Sequence, residues 1–277
     1  MIEINNLAFS FGKYSVLENI SMKLEEGKIY GLLGENGVGK TTLLTLLCGL
    51  KQPKAGTISA DGRAPFNREP SLLQDQFYLP DEVLPLAATP GQFASERAGF
   101  WPKFSYISYE AMLREFEVDS TQRMDKMSAG QLKKTWIAFA LACGARYYYM
   151  DEPTNGLDIP SKAQFRKALM KYTAEDSIMV ISTHQVRDLE SIIDPIIILD
   201  SKEVLVMATL EEIAQKLTFD YSKEINPDAL YMEQIPGGVI QVIPNTTVEE
   251  SKVNLEAFFN TIHANKDVAK SLFNNKK

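Results

Sequence analysis

Several short stretches hold residues whose types and spacing could do chemistry. Gly34 to Thr42 reads GENGVGKTT and fits Gly-x4-Gly-Lys-Thr, a loop whose backbone N–H groups turn inward around an anion. In such a loop Lys40 reaches the β- and γ-phosphates of a nucleotide, and the Thr41 hydroxyl helps hold Mg²⁺. Tyr147 to Glu152 (YYYMDE) is an apolar run that ends in two carboxylates. Emerging beside the phosphate loop, it would set Asp151 to support Mg²⁺ and Glu152 to polarise a water. Ser128-Ala129-Gly130-Gln131 opens a long apolar helix, with Ser128 as N-cap and small residues leaving the helix end open to an anion. Taken alone, that stretch reads more simply as a plain helix start. Thr183 and His184 follow the apolar run Ile178 to Ser182, at the strand end where open α/β sheets bind ligands. His184 is one of only two histidines, although a lone histidine is more often structural than catalytic. Phe11, in the turn Phe11-Gly12-Lys13-Tyr14, could offer a flat face to a purine base; spacing alone favours an ordinary core or hairpin aromatic.

These residues need rigid elements behind them. Residues 28–33 (KIYGLL) read as a buried strand and 40–49 as a helix whose positive end faces the phosphates. Residues 2–9 and 16–24 alternate apolar and polar positions, as half-buried antiparallel strands do, and 56–60 adds another strand before an Asp61-Gly62 turn. Residues 76–80 form a short buried strand running into Asp81-Glu82. From about 86 to 126 six aromatics (Phe93, Phe100, Trp101, Phe104, Tyr106, Tyr109) sit among charges at helical spacing. This predicts a helical insertion with the aromatics as its core, and leaves open that one or two line a groove for a partner. A helix follows the PTNGLD turn to about Tyr172, strands are expected at 178–182, 196–200 and 204–207, and a helix at 209–217 capped by Thr209. Beyond Phe219 the pattern changes to a hairpin through Pro236-Gly237-Gly238 and an amphipathic helix marked by Leu255, Phe258, Phe259 and Ile262. The last residues, Asn274 to Lys277, are expected to fray.

Composition narrows the classes. At 277 residues the chain holds one α/β core with a small extra unit, and is short for two complete nucleotide-binding domains. Thirty-six acidic against 29 basic residues, a net charge of -7, argue against nucleic acid as a partner. The N-terminus lacks the pattern of a secretory signal, and the longest apolar candidate for a span, Thr135 to Met150, is broken by Arg146. A cytoplasmic protein is expected, with any membrane link made through a partner. Cys48 and Cys143 fall in apolar helical patterns and suit buried thiols better than metal ligands.

In their order, these motifs resemble the ATP-binding cassette subunits of ABC transporters, over roughly residues 1–217. GENGVGKTT looks like the family's Walker A, YYYMDE its Walker B, NGLD its D-loop, MSAGQ its LSGGQ signature and STHQ its switch-histidine segment. The resemblance implies a P-loop NTPase (RecA-like) parallel sheet with an N-terminal antiparallel β subdomain and an α-helical subdomain at about 86–145. Residues 218–277 are then a small C-terminal α+β extension. It implies ATP and Mg²⁺, with Glu152 as general base, His184 on the γ-phosphate and attacking water, and Lys40 stabilising charge. Phe11, Gly34, Asn36, Gly37, Gly39, Lys40, Thr41 and Thr42 would bind nucleotide from one side. Ser128, Gly130, Gln131 and Asp158 would complete the site from a second copy, and Thr41, Asp151 and Asp81 would serve the metal.

The sequence departs from that family pattern at Ala129, where a glycine is usual, and at Asp81, where a glutamine is usual. A methyl at 129 is tolerable if the backbone there is helical. Aspartate at 81 still accepts from a metal-bound water but is shorter and charged, and Glu82 stands beside it. The acidic residue and the extension are similar to cassettes of the ABC-2 type, which usually serve exporters with separately encoded membrane subunits. The resemblance thus implies a transporter ATPase at the inner face of the membrane, held there by a permease partner. A soluble cassette clamping a protein or ribosomal assembly is the alternative, and a nucleotide kinase leaves SAGQ and His184 unexplained.

Overall fold

The computed structural model describes residues 1–246 and 251–273. The expected fraying of residues 274–277 lies outside them. Two strands, β1 (Ile2–Phe11) and β2 (Tyr14–Leu24), pair antiparallel, and β3 (Lys28–Leu33) leads into the phosphate loop and helix α1 (Lys40–Leu47). Strand β4 (Ala55–Ala60) returns to the other edge of β1, so the first sheet has the order β2-β1-β4. After the short helix α2 (Pro70–Leu73) comes β5 (Gln76–Leu79), then helices α3 (Pro90–Arg97), α4 (Tyr106–Glu115) and α5 (Ala129–Ala142). Strand β6 (Tyr147–Asp151), helix α6 (Ile159–Tyr172) and strand β7 (Ile178–Thr183) follow. Next are β8 (Ile196–Asp200), β9 (Glu203–Ala208) and helix α7 (Leu210–Lys216).

The second sheet has the order β5-β6-β7-β3-β8-β9, parallel except for β9. Its strands are buried on both faces, and their side chains sort with period two. Tyr147, Tyr149, Ile178, Val180, Ile197 and Leu199 join the core shared with α1 and the antiparallel sheet. Tyr148, Met150, Met179, Ile181, Ile196 and Ile198 join the core on the opposite face. Because no strand in this layer needs a solvated face, the sequence runs apolar without alternation. The fold class expected from the sequence is the one observed.

Three helices, α3, α4 and α5, pack around Phe139 of α5. Its ring stands 4.5 Å from Phe93, 5.1 Å from Phe104, 5.7 Å from Trp101 and 6.0 Å from Tyr109. Of the six aromatics expected to form this core, Phe93 and Tyr109 are buried, Trp101 and Phe104 partly so, and Phe100 and Tyr106 are exposed. The exposed pair lies at the turn before α4 and on its first residue, where no opposing layer covers them.

The C-terminal part holds two elements that the amino-acid pattern did not announce. Helix α7 passes without a linker into β10 (Leu217–Ser222), which pairs with β12 (Gly238–Pro244), itself paired with β11 (Tyr231–Ile235). Leu217, expected to end the helix, instead opens a strand, since its buried side chain packs with Phe219 and Val242. Helix α8 (Leu255–Ala264) bears the expected apolar stripe, and α9 (Lys266–Phe273) follows after Asn265. Leu255, Phe258, Ile262 and Ala269 belong to the same buried cluster as Phe139 and Met150, so this part shares a core with the central sheet. Replacing fully buried Phe258 with alanine is therefore expected to lower the unfolding free energy of the whole chain by about 3–5 kcal/mol in urea denaturation. A separately melting extension would instead leave the main transition in place.

Candidate active site

Strand β3 ends at Leu33, and the chain must turn at once to start α1. Gly34 lies against β8: a Cβ there would stand 2.5 Å from the Leu199 carbonyl oxygen. Gly39 takes φ 114° as the N-cap residue of α1, a conformation that side-chain-bearing residues rarely adopt, and provides no capping side chain. The first-turn amides of α1 thus keep no intrahelical acceptor and face outward, as an anion site requires. Lys40 is buried, and its Nζ donates to the carbonyl oxygens of Gly34 (2.8 Å) and Glu35 (3.2 Å). Burial pushes its ammonium below the usual lysine range, against the pull of the Glu152 and Asp151 carboxylates.

Parallel pairing of β6 and β7 sets Asp151 opposite Ser182 beside this loop. Thr41 Oγ1 donates to Asp151 Oδ2 at 2.5 Å, and Ser182 Oγ donates to Asp151 Oδ1 at 2.5 Å. Glu152 then leaves the strand with φ 44°, a left-handed backbone held by its N–H bonds to Ser182 Oγ (3.1 Å) and Ser182 O (3.2 Å). The turn directs the Glu152 carboxylate between Lys40 and His184. Oε1 stands 3.7 Å from Lys40 Nζ without a hydrogen-bond partner, and Oε2 lies 2.9 Å from His184 Nδ1 and accepts from the His184 N–H at 3.3 Å. A buried carboxylate oxygen with no donor is an available proton acceptor.

Phe11, Asn36, Gly37, Gly39, Lys40, Thr41, Thr42, Asp81, Asp151 and Glu152 line one cavity of about 380 Å³. Phe11 is half exposed at its rim, edge-on to Phe9 at 5.0 Å, with Lys51 Nζ 5.5 Å from its ring centroid. The donor set suits a divalent cation: a hydroxyl and a carboxylate already in register, facing an anion-binding loop. Mg²⁺ takes most of its ligands from phosphate and water, so Thr41 and Asp151 would suffice from the protein.

Ser128, Gly130, Gln131 and Asp158 come together elsewhere, in a separate cleft of about 520 Å³ that also includes Lys134 and Gly156. Ser128 and Gln131 cap α5 reciprocally, each side chain accepting from the other's backbone N–H. Asp158 caps α6 by accepting from Ser161 N–H at 2.9 Å, and the Ser161 hydroxyl together with that N–H holds its carboxyl below the usual range. Two helix N-termini therefore open on this cleft. Ala129 is the first helical residue of α5, which accommodates its methyl.

Asp81 lies on the cavity wall, but its carboxylate is engaged by Asn155 Nδ2 at 3.1 Å rather than by Thr41 or Asp151. Its backbone carbonyl accepts from Lys133 Nζ at 2.5 Å, and that of Pro80 at 3.3 Å. Burial lowers the Lys133 ammonium, with Asp81 opposing. Sequence reading did not single out Ser182, Lys133 or Asn155. A serine ending a buried strand gives a weak signal, as does a lysine inside the apolar stretch of α5. Alanine at Ser182 removes the hydroxyl that orients Asp151 while leaving Glu152 N–H its carbonyl acceptor. The expected result is a roughly tenfold rise in the Mg²⁺ concentration for half-maximal activity, the scale of losing an outer hydrogen bond to a metal-associated carboxylate.

A family model described as ABC transporter matches residues 17–155, half of the chain, and spans the phosphate loop, the α5 cap and the β6 acids. The chain belongs to the ABC transporter family, among its ATP-binding subunits. The cassette is 30% identical over 207 residues to the SkfA peptide export ATP-binding protein SkfE of Bacillus subtilis, covering 72% of this chain and 85% of that one. It is 26% identical over 231 residues to the ABC transporter ATP-binding protein YtrB of the same species, covering 82% and 79%. A solved ATP-binding subunit of an ABC transporter superposes with a TM-score of 0.68 at 26% identity, covering 77% of this cassette and 91% of that chain. A dimeric cassette solved with ADP and Pi shares the fold at 21% identity, with a TM-score of 0.66 and coverage of 76% and 99%.

Proposed function

We propose that the cassette hydrolyses ATP as a closed dimer and that this cycle drives a separately encoded membrane permease, in an exporter. One observation carries the reading. The phosphate-loop cavity and the cleft between the α5 and α6 N-termini share no lining residue, which supports a reading in which one protomer presents two half-sites to different nucleotides. Each ATP would be held by Phe11 and the Gly34–Thr42 loop of one copy and by Ser128, Gly130, Gln131 and Asp158 of the other.

Within that site, Glu152 takes the proton of a water whose oxygen attacks the γ-phosphorus as the bond to the bridging oxygen of ADP breaks. His184 holds the other Glu152 oxygen and the Lys40 ammonium offsets charge on the phosphates. Mg²⁺, held by Thr41 and Asp151, would neutralise charge on the phosphate oxygens. Asp81, through Asn155, ties the loop after β5 to the turn before α6, which suits passing motion between the site and a partner.

Among the described residues, no helix is long and apolar enough to cross a membrane. Two further observations support the transport role. An apolar groove of about 370 Å³, lined by Cys48, Leu50, Pro70, Leu73, Phe100 and Trp101, lies where β5 meets the helical layer, and offers a seat for a permease. The peptide-export name of SkfE favours an exporter. Residues 1–217 would be the ATPase cassette and 218–277 an accessory unit, with the whole at the inner membrane face. Isolating the chain from native membranes tests the transport assignment: a multi-span subunit should accompany it, and a ribosome or scaffold in its place would overturn the reading.

A further inference from the structure

The imidazole of His263, on α8, stands between two carboxylates from the nucleotide-binding half. Its Nδ1 lies 3.1 Å from Asp200 Oδ2 at the end of β8, and its Nε2 lies 3.5 Å from Glu35 Oε1 in the phosphate loop. The Asp200 contact is a hydrogen bond, and the Glu35 contact sets the other ring nitrogen against a carboxylate. Lys266 of α9 strengthens the junction, with Nζ 2.9 Å from Asp200 Oδ2 and 2.7 Å from Ser201 Oγ, and the Phe259 ring stacks on the imidazole.

Glu35 is tied to the centre of the site. Its carbonyl accepts from Lys40 Nζ, and the preceding Gly34 packs on the backbone of Leu199, next to Asp200. His263 therefore joins the loop to the same strand end on which it already rests. An independent contact stands at the other end of the helix. Glu256 of α8 accepts from Arg187 Nε at 2.6 Å, in the 3-10 turn Val186–Asp188 that follows His184 and packs against α8. One helix of the C-terminal part thus touches both the phosphate loop and the segment bearing His184.

We infer that α8 braces the ATP site and that His263 is a positioning residue, holding the phosphate loop through Glu35 in the form that receives the triphosphate. The inference rests on the ATPase reading given above. A loop already ordered loses less freedom when nucleotide binds, so the brace acts on affinity rather than on the chemical step. Both partners are partly exposed, which limits the effect to that of a surface pair.

The test is ATPase kinetics on the full chain, with binding of a fluorescent ATP analogue. His263→Ala is expected to raise KM and the analogue's Kd about two- to fivefold with kcat within about twofold, the range a pair of this exposure supplies. His263→Gln, which keeps size and polarity but carries no charge, should match it. Glu35→Gln should show the same rise, and the double variant no more than either single, as coupled residues require. Lys270→Ala, which breaks the pair (2.9 Å) between α9 of the same C-terminal part and Glu203 of β9, should leave KM unchanged. An unaltered KM in both His263 variants, strictly additive singles, or an equal rise in Lys270→Ala overturns the inference alone. A wild-type chain without ATP affinity overturns the functional reading and this inference together.

Discussion

Glu152→Gln is expected to lower the steady-state rate of phosphate release by about two to four orders of magnitude while ATP still binds. The substitution keeps the shape of the side chain, and its carbonyl can still accept the His184 N–H that now reaches Oε2. What it loses is the ability of the unpartnered Oε1 to take a proton. The negative charge 3.7 Å from Lys40 Nζ also disappears. A triphosphate then meets an undiminished lysine and one fewer buried carboxylate, so affinity should hold or rise. Phosphate release at the wild-type rate would remove Glu152 from the role of base and leave the left-handed turn at that residue without a catalytic explanation.

The second large effect concerns assembly. In the Glu152→Gln background, adding ATP should double the mass seen by light scattering, and a further Gly130→Asp change should abolish that doubling. Gly130 is chosen because the fold tolerates it. A Cβ there would meet Gly156 O at 3.5 Å, an ordinary contact, and a carboxylate in the first turn of α5 is favourable to the helix itself. The same charge would face the phosphates of a nucleotide held by the partner copy. A chain that stays monomeric with ATP in the Glu152→Gln background, or a dimer indifferent to the aspartate, would contradict a site shared between copies.

Local chemistry made much of this legible from residue order. The phosphate loop needs its glycines and lysine within a few positions of each other, because one turn and one helix start build the anion cradle. Asp151 and Glu152 are adjacent because a strand end must deliver both. That they stand together beside the loop could be read before any distance was known. The apolar runs of β3, β6, β7 and β8 likewise announced a sheet covered on both faces.

The remainder depended on contacts between residues far apart in the chain. Ser182 matters only because parallel register places it opposite Asp151. Lys133 and Asn155 acquire their partners because α5 and the turn before α6 both close on the loop after β5. Asp81 lies on the cavity wall with Thr41 and Asp151, and its partner Asn155 reaches it from the turn before α6. The strand β10 follows α7 with no turn residue between them, and α9 is only eight residues long, so its apolar face of Val268, Ala269, Leu272 and Phe273 is a short signal. His263 carried no signal of its own in the sequence, and α8 brings it to the phosphate loop. By itself, then, the sequence determined the sheet, the anion loop and the two acids, because each is written in neighbouring residues and their period. Only the tertiary structure decided which side chains orient those acids, that the phosphate-loop cavity and the cleft at the α5 and α6 N-termini are separate, and that the C-terminal helix reaches the loop. Hydrogen-bond partners and shared cores are set by packing across the chain, which no local pattern records.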